Sequence, residues 1–400
     1  MMDWTPQSWR HQRIRQIPEY PNQEELQGVV SRLKTYPPIV QPRESQQLSR
    51  RLREVCEGKA FLLHGGDCAE SLDRFSQSVL QANMRVLLPM ATMLACAMNK
   101  PVLKIGRYAG QCAKPRSQES EIRNEISLPS YRGDLINGFE FDPLARTPDP
   151  KRMEKGYFFS AATWNILKSL THGTEFYTSH EALLLPYEEA LTHQDSSTPN
   201  AWFDGSAHFL WVGERTRQLD SAHIEFLRGI SNPIGMKFSS EITGDELCQL
   251  IETLNPQNQK GRLTLIARFG HDKIAESLPS LIQAVKHSGY HVIWCCDPMH
   301  GNTQTTPRGY KTRFFQDILS EVQQFFSIHQ HAGTYAGGVH VEMTGSPVIE
   351  CLGGDQAITE EELGEGFYET LCDPRLNANQ ARELARRLIL QTGHPIKPPW

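Results

Sequence analysis

The sequence has 400 residues, 39% hydrophobic and 22% charged, with a net charge of −5 and no disordered or fibrous signature. The net negative charge argues against a general nucleic-acid surface, though not against a local basic pocket. The longest apolar stretch, Val86 to Met98, is interrupted and too short to span a bilayer, and Met1-Met2-Asp3-Trp4 lacks the basic and apolar regions of a signal peptide.

A cytoplasmic location without a membrane partner is therefore expected, with the nine cysteines reduced. Their spacing gives no CxxC pair and no zinc-finger frame. Residues 1–59 read as a helical extension. Asn22 can cap a helix carrying Leu26, Val29, Val30 and Leu33, which Pro37-Pro38 stops. A second amphipathic helix places Leu48, Leu52 and Val55 on one face and ends at Gly58. Such helices cover a barrel end or make a subunit contact.

From Ala60 the chain alternates strand and helix. The predicted strands are 60–63, 101–105, 175–177, 208–212, 233–236, 262–267, 292–296 and 338–342. Helices are predicted near 75–98, 151–170, 222–230, 273–287, 314–329 and 377–390. Eight such units fit a single (β/α)8 barrel over residues 60–400, in the α/β class.

Every predicted strand ends in a charged, His or Cys residue, and in a barrel those tips ring one bowl. One group is cationic: Arg107, Lys114, Arg116, Arg215, Lys237 and Arg268. Singly, each could be a rim salt bridge. Together, in a net-negative chain, they call for an anionic ligand, and phosphate binds forked guanidinium groups well. The other group is metal-capable: Cys68, His300, Glu342 and Asp373. Here a core cysteine, a turn histidine, an Arg-paired glutamate and a capping aspartate stand as alternatives, because the long-range spacing follows no local motif.

Seven motifs then speak together: Gly65-Gly-Asp-Cys-Ala-Glu70, Gly110-Gln-Cys-Ala-Lys-Pro-Arg-Ser117, Tyr131-Arg-Gly-Asp-Leu-Ile-Asn-Gly138, Gly213-Glu-Arg-Thr-Arg-Gln218, Cys296-Asp-Pro-Met-His-Gly-Asn-Thr303, His340-Val-Glu342 and Cys372-Asp-Pro-Arg-Leu-Asn377. In this order the chain resembles the class II (plant-like) 3-deoxy-D-arabino-heptulosonate 7-phosphate (DAHP) synthases, from about Gly58 to the last helix. The resemblance implies condensation of phosphoenolpyruvate with erythrose 4-phosphate, the first step of the shikimate pathway. It makes Cys68, His300, Glu342 and Asp373 the ligands of a divalent metal ion, manganese or cobalt, with zinc also suited to Cys and His. Phosphoenolpyruvate is placed against Arg107, Glu214, Arg215, Lys237 and Arg268. Lys114, Arg116 and Ser117 resemble the segment that meets erythrose 4-phosphate. Arg107, Lys114 and Lys237 are the expected catalytic cations, with Lys114 or a water on the metal as proton source. A homo-oligomer, dimer or tetramer, is expected.

Members that respond to aromatic amino acids carry a helical insertion between the second helix and the third strand. Here Leu170 is followed at once by Gly173 and the strand near Tyr177. The resemblance therefore implies a short form with little or no inhibition by Trp, Phe or Tyr, a type associated with phenazine-like secondary pathways. Loop 118–129 is polar and extended. Cys372, beside Asp373, is expected near Cys68, where loss of metal would let the two thiols oxidise. Asp297 is expected to support the turn or His300, with Cys295 and Cys296 in the core. A 3-deoxy-octulosonate phosphate synthase would share the barrel logic but not these motifs, and a non-enzymatic scaffold would have lost a ligand or cation. None is lost.

Overall fold

Eight parallel strands close on themselves in the computed structural model, which describes residues 3–391 apart from 197, 199 and 366. The strands are β1 (Phe61–Gly66), β2 (Val102–Arg107), β3 (Tyr177–Glu181), β4 (Phe209–Val212), β5 (Ile234–Phe238), β6 (Leu263–Ala267), β7 (Ile293–Cys296) and β8 (Ala336–Glu342). β1 pairs with both β2 and β8, which closes the (β/α)8 barrel expected from the sequence. The end of the predicted barrel segment, 392–400, and Met1-Met2 lie outside the described residues.

Two helices precede the barrel. In α1 (Gln23–Leu33) the Asn22 side chain accepts from Glu25 N at 3.0 Å, the expected cap. α2 (Pro42–Cys56) sends Leu48, Leu52 and Val55 into one cluster with Leu62, Leu103, Phe209 and Ile266 of four strands. It therefore seals the barrel interior, and each buried leucine contributes roughly 1.5–3 kcal/mol of burial.

The barrel helices are α3 (Gln77–Met98), α4 (Lys151–Leu170), α5 (Ala222–Gly229), α6 (Gly244–Leu254), α7 (Ile274–His287), α8 (Phe315–Ala332) and α9 (Ala378–Gln391). α3 is longer than the apolar stretch 86–98 read from sequence; by length and composition it could cross a membrane. Its packing decides otherwise: Leu80, Leu87, Met90 and Leu94 are buried in the main core, against α4, α9, β1 and β2. α6 was not anticipated, although Thr243 caps it by accepting from Glu246 N at 3.2 Å.

The third strand sits further along the chain than predicted, at Tyr177–Glu181 rather than 175–177. Its Thr178, Ser179 and His180 hide the alternation that marks a strand, yet all are buried because each has a partner: His208 Nδ1, His64 Nε2 and Glu188. Loop 118–129 is an antiparallel hairpin, Ser120–Arg123 with Ile126–Pro129.

Candidate active site

The register fixes the first pair of functional side chains. Gly66 lies level with Arg107 on one side and Glu342 on the other. Arg107 Nη2 reaches across it to donate to Glu342 Oε1 at 2.8 Å. Gly66 has φ +145°, and a Cβ there would meet the Tyr108 ring at 2.8 Å, so only glycine suits this crossing.

Sγ of Cys68, after β1, lies with carboxylate oxygens of Glu342, ending β8, and Asp373, all within 4.8 Å of one another. His300 joins from the tip of β7, its Nε2 3.3 Å from Glu342 Oε1. Asp297 takes the other ring nitrogen, Nδ1, at 2.8 Å, as well as Lys237 Nζ at 2.9 Å. Nδ1 donates to Asp297, which leaves Nε2 turned toward Glu342, where a shared cation can take the place of a ring proton. One thiolate, one imidazole and two carboxylates fit a divalent transition metal. Three of the four expected ligands form one cluster, which His300 meets at Glu342, and Asp297 holds the His300 ring.

The charges agree with that geometry. Burial pushes the Glu342 carboxyl up, but His300, Arg107, Arg313 and Lys114 outweigh it and hold it well below the ordinary carboxylate range. Burial and Glu342 push Asp373 up; Arg313, Lys114 and His300 leave it at about 2. Burial, Cys372 and Glu342 raise the Cys68 thiol, an effect that a bound dication reverses. Cys372 packs against Cys68 in one small cluster with Ala69 and Tyr131, as expected.

Beside these donors opens a cleft lined by Lys114, Arg116, Glu181, Glu214, Arg215, Lys237, Arg268, His300, Cys372 and Asp373. Five of the six expected cations therefore share one space. Arg268 Nη2 donates to His300 O at 3.0 Å, while its Nε is buried with no partner among the described residues. Burial lowers Lys237, with Asp297 opposing that shift. Lys114 Nζ stands 3.7 Å from Glu342 Oε1. Glu214 Oε1 is held by Arg217 at 2.8 Å and Ser239 at 3.1 Å.

Two expected residues stand elsewhere. Ser117 is exposed and outside the cleft lining. Arg107 is 1% exposed and lies beneath the lining, donating to Asp67 O, Cys68 O, Glu342 and His340. Behind it runs a buried chain: His340 Nδ1 to His64 Nδ1 at 2.9 Å, His64 Nε2 to Ser179 Oγ at 2.8 Å, and Ser179 Oγ to Gly106 O at 2.9 Å. Because Arg107 can only donate and Gly106 O can only accept, the chain has one direction, with both imidazoles neutral. Burial, aided by the nearby Arg107 and Lys237 charges, keeps both well below the usual histidine range.

Sequence reasoning missed Arg313, which is fully buried. Its Nη1 donates to Glu342 Oε2 at 2.8 Å and to Pro374 O, and its Nε to Thr303 Oγ1 at 3.0 Å. It therefore ties together the segments bearing Glu342, Asp373 and His300. Glu70 and Glu321 were also missed as loop organisers. Glu70 gathers the backbone N–H groups of Ala109, Gly110 and Gln111, shaping the approach to Lys114; Glu321 does the same for Phe269 and Gly270 after β6. For Glu70 the signal was its place inside a motif, three residues beyond Asp67; Glu321 lies in none of the motifs.

A closed parallel barrel with metal-capable and cationic tips on one face is the architecture of a barrel enzyme acting on anionic substrates. The model of the class-II DAHP synthetase family matches residues 4–175 and 171–389, and the chain belongs to that family. It is 44% identical to a phospho-2-dehydro-3-deoxyheptonate aldolase of Streptomyces coelicolor, over 94% of this chain and 95% of the relative. A Neurospora crassa protein of the same name is 42% identical over 96% of this chain and 93% of its own. Among solved structures, the phospho-2-dehydro-3-deoxyheptonate aldolase of Francisella tularensis shares the fold, with a TM-score of 0.52 at 13% identity, covering 92% of this chain and 96% of the other.

Proposed function

We propose that this chain is a transferase that condenses phosphoenolpyruvate with erythrose 4-phosphate and water, giving DAHP and inorganic phosphate at the entry to the shikimate pathway. The observation that carries this reading is the convergence of the Cys68–Glu342–Asp373 donor cluster with Lys114, Lys237 and Arg268 at one cleft. Two phosphorylated molecules side by side repel each other, and the cations both bind them and offset that repulsion.

Lys237, Arg268 and Arg215 take the phosphate and carboxylate of phosphoenolpyruvate, with Glu214 on the same wall and Arg107 adding charge from below. Lys114 and Arg116 form the approach for the phosphate of erythrose 4-phosphate, with Ser117 next to them in the chain but outside the cleft lining. Cys68, His300, Glu342 and Asp373 hold a divalent ion, manganese or cobalt by preference and zinc by ligand type, which when bound supplies Lewis acidity toward the aldehyde oxygen. Held in register, C3 of the enol forms a bond to the aldehyde carbon. Lys114 gives a proton to the aldehyde oxygen as it becomes a hydroxyl. Water adds to C2 and returns a proton to Lys114, and C–O cleavage then releases phosphate, which carries off the proton of the new C2 hydroxyl as the ketone forms.

The chain is a short form. Its two family matches meet at 171–175, between the end of α4 at Leu170 and the start of β3 at Tyr177. The alignment to the Streptomyces relative spans 429 positions, more than the whole 400-residue chain, so that relative carries segments absent here. Supply of a secondary aromatic pathway fits such a form. The nine free cysteines suit the reducing cytoplasm. Exposed Ile122, Ile126, Leu144 and Phe158 suit assembly into a dimer or tetramer.

The test is an assay of phosphoenolpyruvate consumption and phosphate release, with erythrose 4-phosphate or arabinose 5-phosphate as acceptor. Turnover with the tetrose alone, abolished by chelator and restored by Mn2+, is expected. Turnover with the pentose alone, or indifference to the chelator, contradicts the reading.

A further inference from the structure

Glu181 ends β3 and lines the cleft, yet nothing above gives it work. It is 8% exposed, and its Oε1 is buried without a hydrogen-bond partner among the described residues. A buried carboxylate oxygen left unserved is costly, and its neighbourhood has been shaped to keep it there. Gly213 lies directly under it: a methyl group at 213 would stand 2.2 Å from Oε1. On the other side Gln111 Oε1 accepts from Glu181 N at 2.9 Å, which ties the strand tip to the loop that carries Lys114 and Arg116. Glu214 also leaves one oxygen, Oε2, without a partner, but its Oε1 is committed to Arg217 and Ser239.

The chemistry of the two substrates decides what a free carboxylate can do here. Phosphoenolpyruvate carries a phosphate and a carboxylate and no hydroxyl, so a third anion beside it only repels. Erythrose 4-phosphate carries hydroxyls on C2 and C3, both hydrogen-bond donors. Resting on the function proposed above, we infer that Glu181 accepts a hydrogen bond from a hydroxyl of the acceptor sugar and sets the preference for a hydroxylated aldehyde. Gly213 is the residue that gives the carboxylate its place. A site built to serve a substrate hydroxyl discriminates strongly against the analogue that lacks it.

The experiment compares the Mn2+-loaded wild type with E181Q and G213A, using erythrose 4-phosphate and its 2-deoxy and 3-deoxy analogues. The isosteric amide preserves the fold, and G213A displaces the carboxylate without removing it. The wild type is expected to lose about 10-fold or more in kcat/KM when one of the two hydroxyls is removed, as for a hydrogen bond to a charged group. E181Q and G213A should lose a similar factor with erythrose 4-phosphate but no more than about 2-fold with that same deoxy analogue, and the KM for phosphoenolpyruvate should stay unchanged. An equal loss against all three aldehydes, or no loss in either variant, overturns the assignment. A wild type inactive with phosphoenolpyruvate and erythrose 4-phosphate instead overturns the function on which it rests.

Discussion

Glu342 receives Arg107 on one carboxylate oxygen and Arg313 on the other, both at 2.8 Å, so its orientation is set from two sides before any ion arrives. Arg313 also holds Pro374 O and Thr303 Oγ1, the neighbours of Asp373 and of the His300 turn. Outer partners of this kind alter metal affinity by about 10–100-fold when removed. R313A is therefore expected to weaken Mn2+ or Co2+ binding by that factor, read by competition with a fluorescent chelator, and R313K to fall between, because one ammonium cannot replace a fork. Unchanged affinity in R313A would contradict this role. Cys68, His300 and Glu342 could be singled out from sequence because each lies at, or within a few residues of, a strand tip. Arg313 could not: it stands in the turn between a two-residue hairpin and α8, where no periodicity marks it.

At the scale of elements, the barrel was readable wherever a strand is apolar throughout, as in β4 and β7. β3 was misplaced because its middle is Thr178-Ser-His180, a polar run whose partners come from β1, from His208 just before β4 and from a short helix at Leu185–Ala190. Sequence periodicity cannot show that such residues are satisfied from a distance. The junction between α4 and β3 carries a prediction of its own. With only six residues between Leu170 and Tyr177, the chain has no room there for the helices on which aromatic effectors act in longer members of the resembled family. Trp, Phe and Tyr, each at 1 mM, are expected to leave the initial rate within about 20% of the control, on the argument that an effector needs differential contacts to shift an equilibrium. Strong inhibition by any one of them below 1 mM sinks this expectation.

The whole molecule buries titratable groups of both signs, and their opposition shapes its acid stability. Burial pushes His208, His223 and His329 down to about 3, 4 and 3. They stay neutral in the fold while the unfolded chain takes up protons below about 6.5, so the stability they contribute is complete above that pH and drains as pH falls. Burial pushes Glu70, Glu188 and Glu321 up to about 7, 7 and 8, so the fold keeps protons that the unfolded chain releases above about 4.5. Their contribution drains as pH rises. His64, His180 and His340, which burial also holds down, add to the first set, so between about pH 4.5 and 6.5 the glutamates offset only part of the loss. Below about 4.5 the glutamates no longer oppose the imidazoles, each of which costs about 1.4 kcal/mol per pH unit until its own folded value is reached, and Glu342, Asp373 and Asp297, held low in the fold, lose their contribution as well. Urea midpoints should therefore fall gently from pH 6.5 to 4.5 and steeply below; a flat or rising midpoint from pH 4.5 to 3.5 contradicts the account.

The central claim is that one cleft unites a divalent ion on Cys68, His300, Glu342 and Asp373 with the cations that receive phosphoenolpyruvate. A crystal structure of the protein with Mn2+ and phosphoenolpyruvate tests it most directly. The account predicts an anomalous peak shared by those four side chains, at a metal–sulfur distance of about 2.3–2.5 Å by analogy with zinc thiolates, and ligand density against Lys237 and Arg268. An ion bound elsewhere, or phosphoenolpyruvate outside this cleft, would contradict it.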